Sequence, residues 1–458
     1  MRPSLSFSRA SLLALLACFA GCTSGGGTSP GDDASTGGEL PDGASLTDAP
    51  PPLDASIPNP CSLPGTVQYT AGGGTQVVPG GSGRGDLSFL KLPAGFCAHY
   101  YGNVGNARQI RFAPGGELFV ASPTRGTTGG GGGGKSEIDV LPDDDLNGEA
   151  DSAIKFLGNL PATQGMLFTP GSLYYQDDTQ IMQLPYQRGQ RAAAGTPTSV
   201  LSVTIYSSSL HWPKVLDAAD DGTIYVGNGG DQGETCDPTR PFHGGIVKVD
   251  PTVQSSDPLS CGPSCSEVAK GLRNPIALRC QHGHDNCFAL ELALDYSGAD
   301  GGREKLLPIR QGDDWGFPCC ASKNLPYATL SPAPDCSATA SEFDAFVIGD
   351  TPFGIDFAPA TWPAPYSGAA FVTLHGVAGN WQGERLVSIA VDPTSGMPMT
   401  GNDLMMVDMG AIGDFGTGWD DGSQKHGRPS AVAFSSDGRL FVANDNDGDI
   451  FWIAPMAM

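Results

Sequence analysis

One phrase recurs six times along this chain: a short apolar strand, a turn bearing Gly, Asp or Pro, and a second apolar strand. It reads RQIRFAPGGELFVAS from Arg108, QGMLFTPGSLYYQD from Gln164, WPKVLDAADDGTIYVGN from Trp212, RNPIALRCQHGHDNCFALEL from Arg273, FGIDFAPATWPAPYSGAAFVTLHG from Phe353 and RPSAVAFSSDGRLFVAND from Arg428. A repeated hairpin cannot bury its apolar faces alone, whereas copies stacked on one another can. Five copies are followed, after a variable insert, by a further strand such as SEIDVLP, GGIVKVDP or GDIFWIAP, which makes four-stranded units. The expectation is an all-β chain folded as a six-bladed β-propeller. LSFLKLPAGFCAHYYG (residues 87 to 102) lies ahead of the first copy and is expected to supply the outer strand of the last blade, closing the ring without an exposed sheet edge. A pair of β-sandwiches also produces alternating strands, but sandwich strands do not repeat one hairpin phrase six times.

A second pattern competes for attention. GGGGGGKSEIDV (residues 129 to 140) satisfies the phosphate-cradle spacing, with Gly129, Gly134, Lys135 and Ser136 in the required places. Such a cradle needs a helix opening directly after the lysine, so that backbone N–H groups face the phosphates. SEIDVLPDDD instead alternates polar and apolar residues and runs into Pro142 and three aspartates, so a strand ending in a turn is expected and the glycine run is a loop between two strands.

The N-terminus speaks to compartment. Arg2 and Arg9 flank a basic start, Ala10 to Ala20 is an apolar run too short to span a bilayer, and Cys22 follows Gly21. Residues 1–22 resemble a bacterial lipoprotein signal, in which that cysteine becomes the lipidated first residue; an ordinary secretory signal is the alternative. Residues 23–60 contain six acidic residues and no Lys or Arg among Gly, Ser, Thr, Pro and Ala, a composition that cannot order itself and reads as a disordered tether to a propeller over 61–458. The expected location is the cell envelope, outer membrane or periplasm, with membrane contact only through the N-terminal lipid.

Ten of the 12 cysteines lie beyond the export segment, and an even number in an exported chain favours disulfides. Cys261 with Cys265 and Cys280 with Cys287 are candidate local pairs; zinc is the competing reading for HGHDNC (residues 282 to 287), although no second ligand pair at suitable spacing accompanies it. With 49 acidic against 25 basic residues the net charge is −24 and no basic patch appears, which excludes nucleic acid and anionic membranes as natural partners. DDDLNGEAD places Asp143, Asp145, Asn147 and Asp151 at alternating spacing around Gly148, like a calcium loop that lacks the glutamate at its twelfth position; a solvated acidic turn is the alternative.

Propellers bind ligands at a mouth of the central channel, so polar residues at the start of each phrase matter most: Arg108, Gln164, His211, Arg273 and Arg428. Three phrases, LHWPKVLDAADDGTIYVGNGGDQG, GLRNPIAL and GDDWGFP, occur in that order. With weaker support from LPAGF, AFVTLHG and the final GRPSAVAFSSDGRLFVAND, the chain over residues 87 to 456 resembles the soluble aldose dehydrogenases dependent on pyrroloquinoline quinone (PQQ), together with the glucose/sorbosone dehydrogenase group.

The resemblance implies PQQ and calcium as cofactors, and oxidation of an aldose or related sugar at its anomeric carbon to the lactone, with electrons leaving to an unidentified acceptor. It makes His211 the general base, Asp231 the carboxylate that orients it, and Arg273 the cation beside the quinone oxygen. Gln164, Asn274 and Arg428 become cofactor contacts, and backbone oxygens of the loop at 296–301 the calcium ligands. Three departures stand out: Leu210 replaces an aspartate next to the histidine, GADGGREKLLPI replaces an acidic signature, and His375 sits where a cofactor-binding lysine is usual. A non-catalytic cell-surface binding module and a calcium-dependent lactonase are the rival functions.

Overall fold

A computed structural model describes residues 56–123, 136–202, 211–230, 236, 244–250, 265–293, 304–327, 330–341, 344–346, 349–376, 383–399, 412–419 and 426–456. Six sheets of four or more antiparallel strands follow one another along the chain, and the inner strand of each contacts those of the blades before and after, the last meeting the first. The inner strands are Gln109–Phe112, Met166–Thr169, Lys214–Ala218, Pro275–Gln281, Pro352–Phe357 and Arg428–Phe434, one from each repeat, and they number blades 1 to 6. The ring is therefore a six-bladed β-propeller.

The second strands show why the phrase repeats. Leu118–Ser122, Ala370–Leu374 and Leu440–Asp445 are buried along their whole length, since each lies between two others in its blade while both faces meet neighbouring blades. Apolar residues on both faces are thus required, and the interblade core shows them: Phe119, Ile138, Met166 and Tyr175 join blades 1 and 2, and Trp362, Phe371, Val432 and Phe451 join blades 5 and 6. The tight hairpins between first and second strands need a residue at positive φ, which Gly222 (φ 86°) and Gly438 (φ 84°) supply.

Blade 6 is built from both ends of the chain. Its inner three strands are Arg428–Phe434, Leu440–Asp445 and Asp449–Pro455, and its fourth is Phe96–Asn103, paired antiparallel to Asp449–Pro455 with Trp452 opposite His99. The expected closure is present. The sheet then continues outward through Val67–Tyr69 and Thr75–Val77, two strands with no sequence signal, and the Cys61–Cys97 disulfide ties this extension to the closing strand. Ile57 and Pro60, inside the segment expected to be tether, are buried.

Three further disulfides join Cys236 to Cys319, Cys280 to Cys287 and Cys320 to Cys336. The local bridge at Cys280 and Cys287 removes the thiol that a zinc site at HGHDNC would need, and His282 bonds Asp220 instead. Cys261 lies outside the described residues. So do Gly129 to Lys135, but Ser136–Leu141 is a strand, so the helix that a phosphate cradle requires is missing where it would have to begin.

Candidate active site

All six inner strands run the same way through the channel, so their first residues mark one mouth. Arg108 directly precedes its strand, Gln164 and Arg273 stand two residues ahead of theirs, His211 three ahead, and Arg428 begins its own. All five are buried. In blades 4, 5 and 6 the register shifts just past Pro275, Pro352 and Pro429. A proline cannot donate to the ladder, so the strand bulges there, and Ile276, Phe353 and Ser430 are skipped in the register.

His211 and Arg273 meet across Asn228, Gly229 and Gly230. The backbone N–H of Gly230 donates to the carbonyl of Arg273 (2.7 Å), and His211 Nδ1 lies 2.8 Å from the carbonyl oxygen of Gly230. A carbonyl only accepts, so Nδ1 carries the hydrogen, and in the neutral ring Nε2 then keeps its lone pair, the tautomer a general base needs. A Cβ at Gly229 would come within 2.7 Å of His211 Cβ, which explains a glycine at this crossing. Beneath them Lys214, 1 % exposed, donates from Nζ to the carbonyl oxygens of His211 and Trp212.

Arg273 is held in turn by the rest of blade 4. Its backbone N–H donates to Glu291 Oε1 (2.7 Å), its guanidinium to the carbonyl of Ala293, and Glu291 Oε2 pairs with Lys305 Nζ at 2.8 Å. Glu304 accepts from the backbone N–H of Ala293 (2.9 Å) and of Gly349 (3.4 Å). The departure GADGGREKLLPI thus supplies Glu304 and Lys305 as buried braces of the loop beside Arg273.

Across the mouth, blades 1, 5 and 6 converge on Asp445. Its Oδ2 accepts from Arg108 Nε (2.9 Å) and His375 Nε2 (2.8 Å), and Arg428 Nε stands 3.9 Å from Oδ1. Burial pushes this carboxyl up, but the donors around it, His375, Arg108 and Arg428, outweigh burial and hold it at about 2. Both ring nitrogens of His375 face acceptors, Asp445 and the carbonyl of Gly376 (3.0 Å). Burial nevertheless keeps the imidazole below its ordinary value against the pull of Asp445, so at neutral pH Nε2–H serves the carboxylate and Arg428 Nη1 serves Gly376 (3.0 Å). Phe353 lies flat between them, 4.1 Å from the His375 ring centroid and 4.9 Å under the Arg108 guanidinium.

Buried amides complete the mouth. Gln176 brackets blades 2 and 3, its side chain accepting from the N–H of Gln164 and Lys214 and donating to the carbonyl of Trp212. By contrast Gln164 Oε1, Asn274 Oδ1 and both side-chain heteroatoms of Asn228 are buried with no hydrogen-bond partner among the described residues. Buried amides are rarely left so, and their clustering marks a place where a polar guest completes the bonding.

Asp445, Lys214, Asn228 and Gln176 were not among the residues picked out from sequence. A signal for most of them exists: the second strand of every repeat has a buried polar residue at its mouth end or within one residue of it, namely Ser122, Gln176, Asn228, Glu291, His375 and Asp445. Asp231, Leu210 and the loop at 296–301 lie outside the described residues.

The acidic turn is elsewhere, past the far end of Ser136–Leu141 on the face opposite the mouth. Asp143 accepts from the N–H of Asn147 (3.0 Å) and Gly148 (3.1 Å), Asp151 from that of Asp144 (2.7 Å), and Asp145 Oδ2 from Asn147 Nδ2 (2.8 Å). These side chains scaffold a turn, and among the described residues no three His, Cys, Asp or Glu side chains are grouped to hold a metal ion.

No protein-family model matches this sequence, and no curated protein matches it. Solved structures do share the fold. A calcium structure of a carbohydrate-active enzyme of family AA12 from Trichoderma reesei aligns with a TM-score of 0.63 at 17 % identity over 80 % of this chain and 97 % of its own. The holo PQQ domain of pyranose dehydrogenase from Coprinopsis cinerea gives 0.62 at 16 % identity, over 80 % and 96 %. The PQQ-bound aldose sugar dehydrogenase of Streptomyces coelicolor gives 0.53 at 18 % identity, over 79 % and 100 %.

Proposed function

We propose that this protein is a PQQ-dependent sugar dehydrogenase that oxidises an aldose or related sugar at the anomeric carbon to the lactone. The observation that carries the reading is His211: a buried imidazole whose tautomer is fixed by the Gly230 carbonyl, joined through Gly230 to Arg273 at a mouth lined with unsatisfied amides. The residues present suit a flat, acidic guest with carbonyl oxygens. Guanidinium groups of Arg273 and Arg428 offer paired donors for carboxylate or quinone oxygen, while Gln164, Asn228 and Asn274 offer buried amides to its ring edge. PQQ, when bound, supplies the hydride acceptor. His211 Nε2 takes the proton from the anomeric hydroxyl, and Arg273 offsets negative charge developing beside it.

Calcium belongs to this reading through the loop at 296–301. Attachment to the cell envelope through a lipidated Cys22 and transfer of electrons to an external acceptor complete the proposal. Its test is reconstitution: the full chain with PQQ and calcium should retain quinone absorbance after gel filtration and reduce an artificial acceptor when aldoses are added. His211→Ala should keep the quinone and lose about 10²- to 10⁴-fold in turnover. Retained quinone without turnover on any sugar would remove the enzyme reading, and loss of both would leave a surface binding module.

A further inference from the structure

The other end of the channel carries a site of its own, independent of the reading above. There the inner strands end around a cavity of about 640 Å³, within the range of small-molecule sites. Its floor is ionic. Arg111 of blade 1 reaches across the channel and donates to the carbonyls of Met166 (3.3 Å), Leu216 (3.3 Å) and Leu278 (3.2 Å) of blades 2, 3 and 4. Arg279 of blade 4 donates to Asp356 of blade 5 (2.7 Å) and Asp217 of blade 3 (3.4 Å), and Asp356 accepts from the N–H of Phe434 in blade 6 (2.8 Å).

Those bonds use Nε and Nη2 of Arg111, and Nε and Nη1 of Arg279. The remaining nitrogen of each, Arg111 Nη1 and Arg279 Nη2, makes no hydrogen bond among the described residues, and both residues line the cavity. Arg111 is 8 % exposed and the Arg279 side chain 18 %, so both guanidinium groups are largely withdrawn from bulk water. The acceptors are already engaged: Asp217 takes the N–H of Cys280 (2.9 Å) and of Ala218 (3.0 Å), and at the rim Asp220 takes His282 and the N–H of Gly283. A guest must therefore bring acceptors.

Charge decides which kind. Two guanidinium groups are outnumbered by the carboxylates of Asp217, Asp220 and Asp221 in the cavity lining and Asp356 bound to Arg279, in a chain of net charge −24, so an anion meets net repulsion. Part of the wall is apolar, with Phe168 and Phe434 beside Thr169. Neutral hydroxyl and ring oxygens on a molecule with an apolar C–H face match all three features. We propose that this cavity binds a neutral saccharide, its oxygens accepting from Arg111 and Arg279 and its C–H face resting on Phe168 and Phe434.

Methyl α-D-glucopyranoside is the suitable probe, because it lacks the anomeric hydroxyl on which the proposed oxidation depends. Saturable binding to the full chain, followed by calorimetry or ligand-observed NMR, is expected and should survive His211→Ala at the opposite mouth. Ala219→Trp, which fills the cavity from its rim, and Thr169→Glu, which offers the guanidinium groups an internal acceptor, should each weaken binding about tenfold or more while the melting temperature stays within a few degrees of wild type. If either variant fails to fold, the other decides. No saturable glycoside binding would overturn the proposal, as would binding that is lost in His211→Ala but kept in the cavity variants. Displacement of the glycoside by inorganic phosphate would overturn it too, by assigning the donors to an anion.

Discussion

Replacing Asp445 by asparagine removes one charge from the point where three blades meet. Held at about 2 against an ordinary 3.8, this carboxylate contributes about 2.4 kcal/mol at neutral pH, at 1.36 kcal/mol per pKa unit. The amide costs more than that, because its NH₂ would face the donors of Arg108, His375 and Arg428 and leave buried guanidinium groups without their carboxylate, a change worth about 3–5 kcal/mol. The folded value lies below the unfolded one, so the contribution is complete above about pH 4 and disappears as pH falls through 2. Urea unfolding of wild type and Asp445→Asn with disulfides intact, repeated between pH 7 and 2, should show a gap of that size that narrows below pH 4. A gap under about 1 kcal/mol, or one that does not change with pH, would refute the assignment of Asp445 as the ionised keystone of this mouth.

Asp139 should behave in the opposite sense. Burial, with Glu137 beside it, pushes its carboxyl up to about 7, so ionisation weighs against the fold as pH rises from about 4 to 7. Asp139→Asn is expected to stabilise by at most about 4 kcal/mol near pH 8 and to make little difference near pH 4, as calorimetric melting would show. Gly165 approaches the Lys214 carbonyl and the Leu216 side chain of the next blade so closely that a Cβ would collide with both. Gly165→Ala should lower stability by about 1–3 kcal/mol and also reduce quinone retention, since Gln164 adjoins it; an unchanged melting temperature would argue against that close approach. Removing Cys236–Cys319, 83 residues apart, should cost about 4.6 kcal/mol against about 2.5 for Cys280–Cys287, 7 apart, by loop-closure entropy; equal losses in paired Cys→Ala variants would show that strain or unfolded-state structure dominates.

The architecture was legible because hairpin turns and apolar second strands are local: a glycine such as Gly222 or Gly438 and the five residues after it carry their own instruction. The closing strand could be read for a topological reason, since one β-like segment stood ahead of the first repeat and one strand was missing from the last. Val67–Tyr69 and Thr75–Val77 left no mark because they are short, Thr75–Val77 is exposed, and neither has to alternate. At the mouth, cations at the repeat starts stood out, whereas Asp445 did not: its partner Arg108 lies 337 residues away, and only ring closure makes them neighbours. The same holds for the acidic turn, where spacing shows four oxygen-bearing side chains but not that backbone N–H groups have claimed them.

Blade 6 also sets a schedule for synthesis. Phe96–Asn103 leaves the ribosome ahead of every inner strand, yet its partner Asp449–Pro455 follows all five other blades, so one edge of the N-terminal ribbon must wait uncovered while they emerge. A chain that stops before Asp449 would keep most of its interior and lose that partner permanently. Such a fragment should be recovered as aggregate or degraded product, however well the remaining blades are formed.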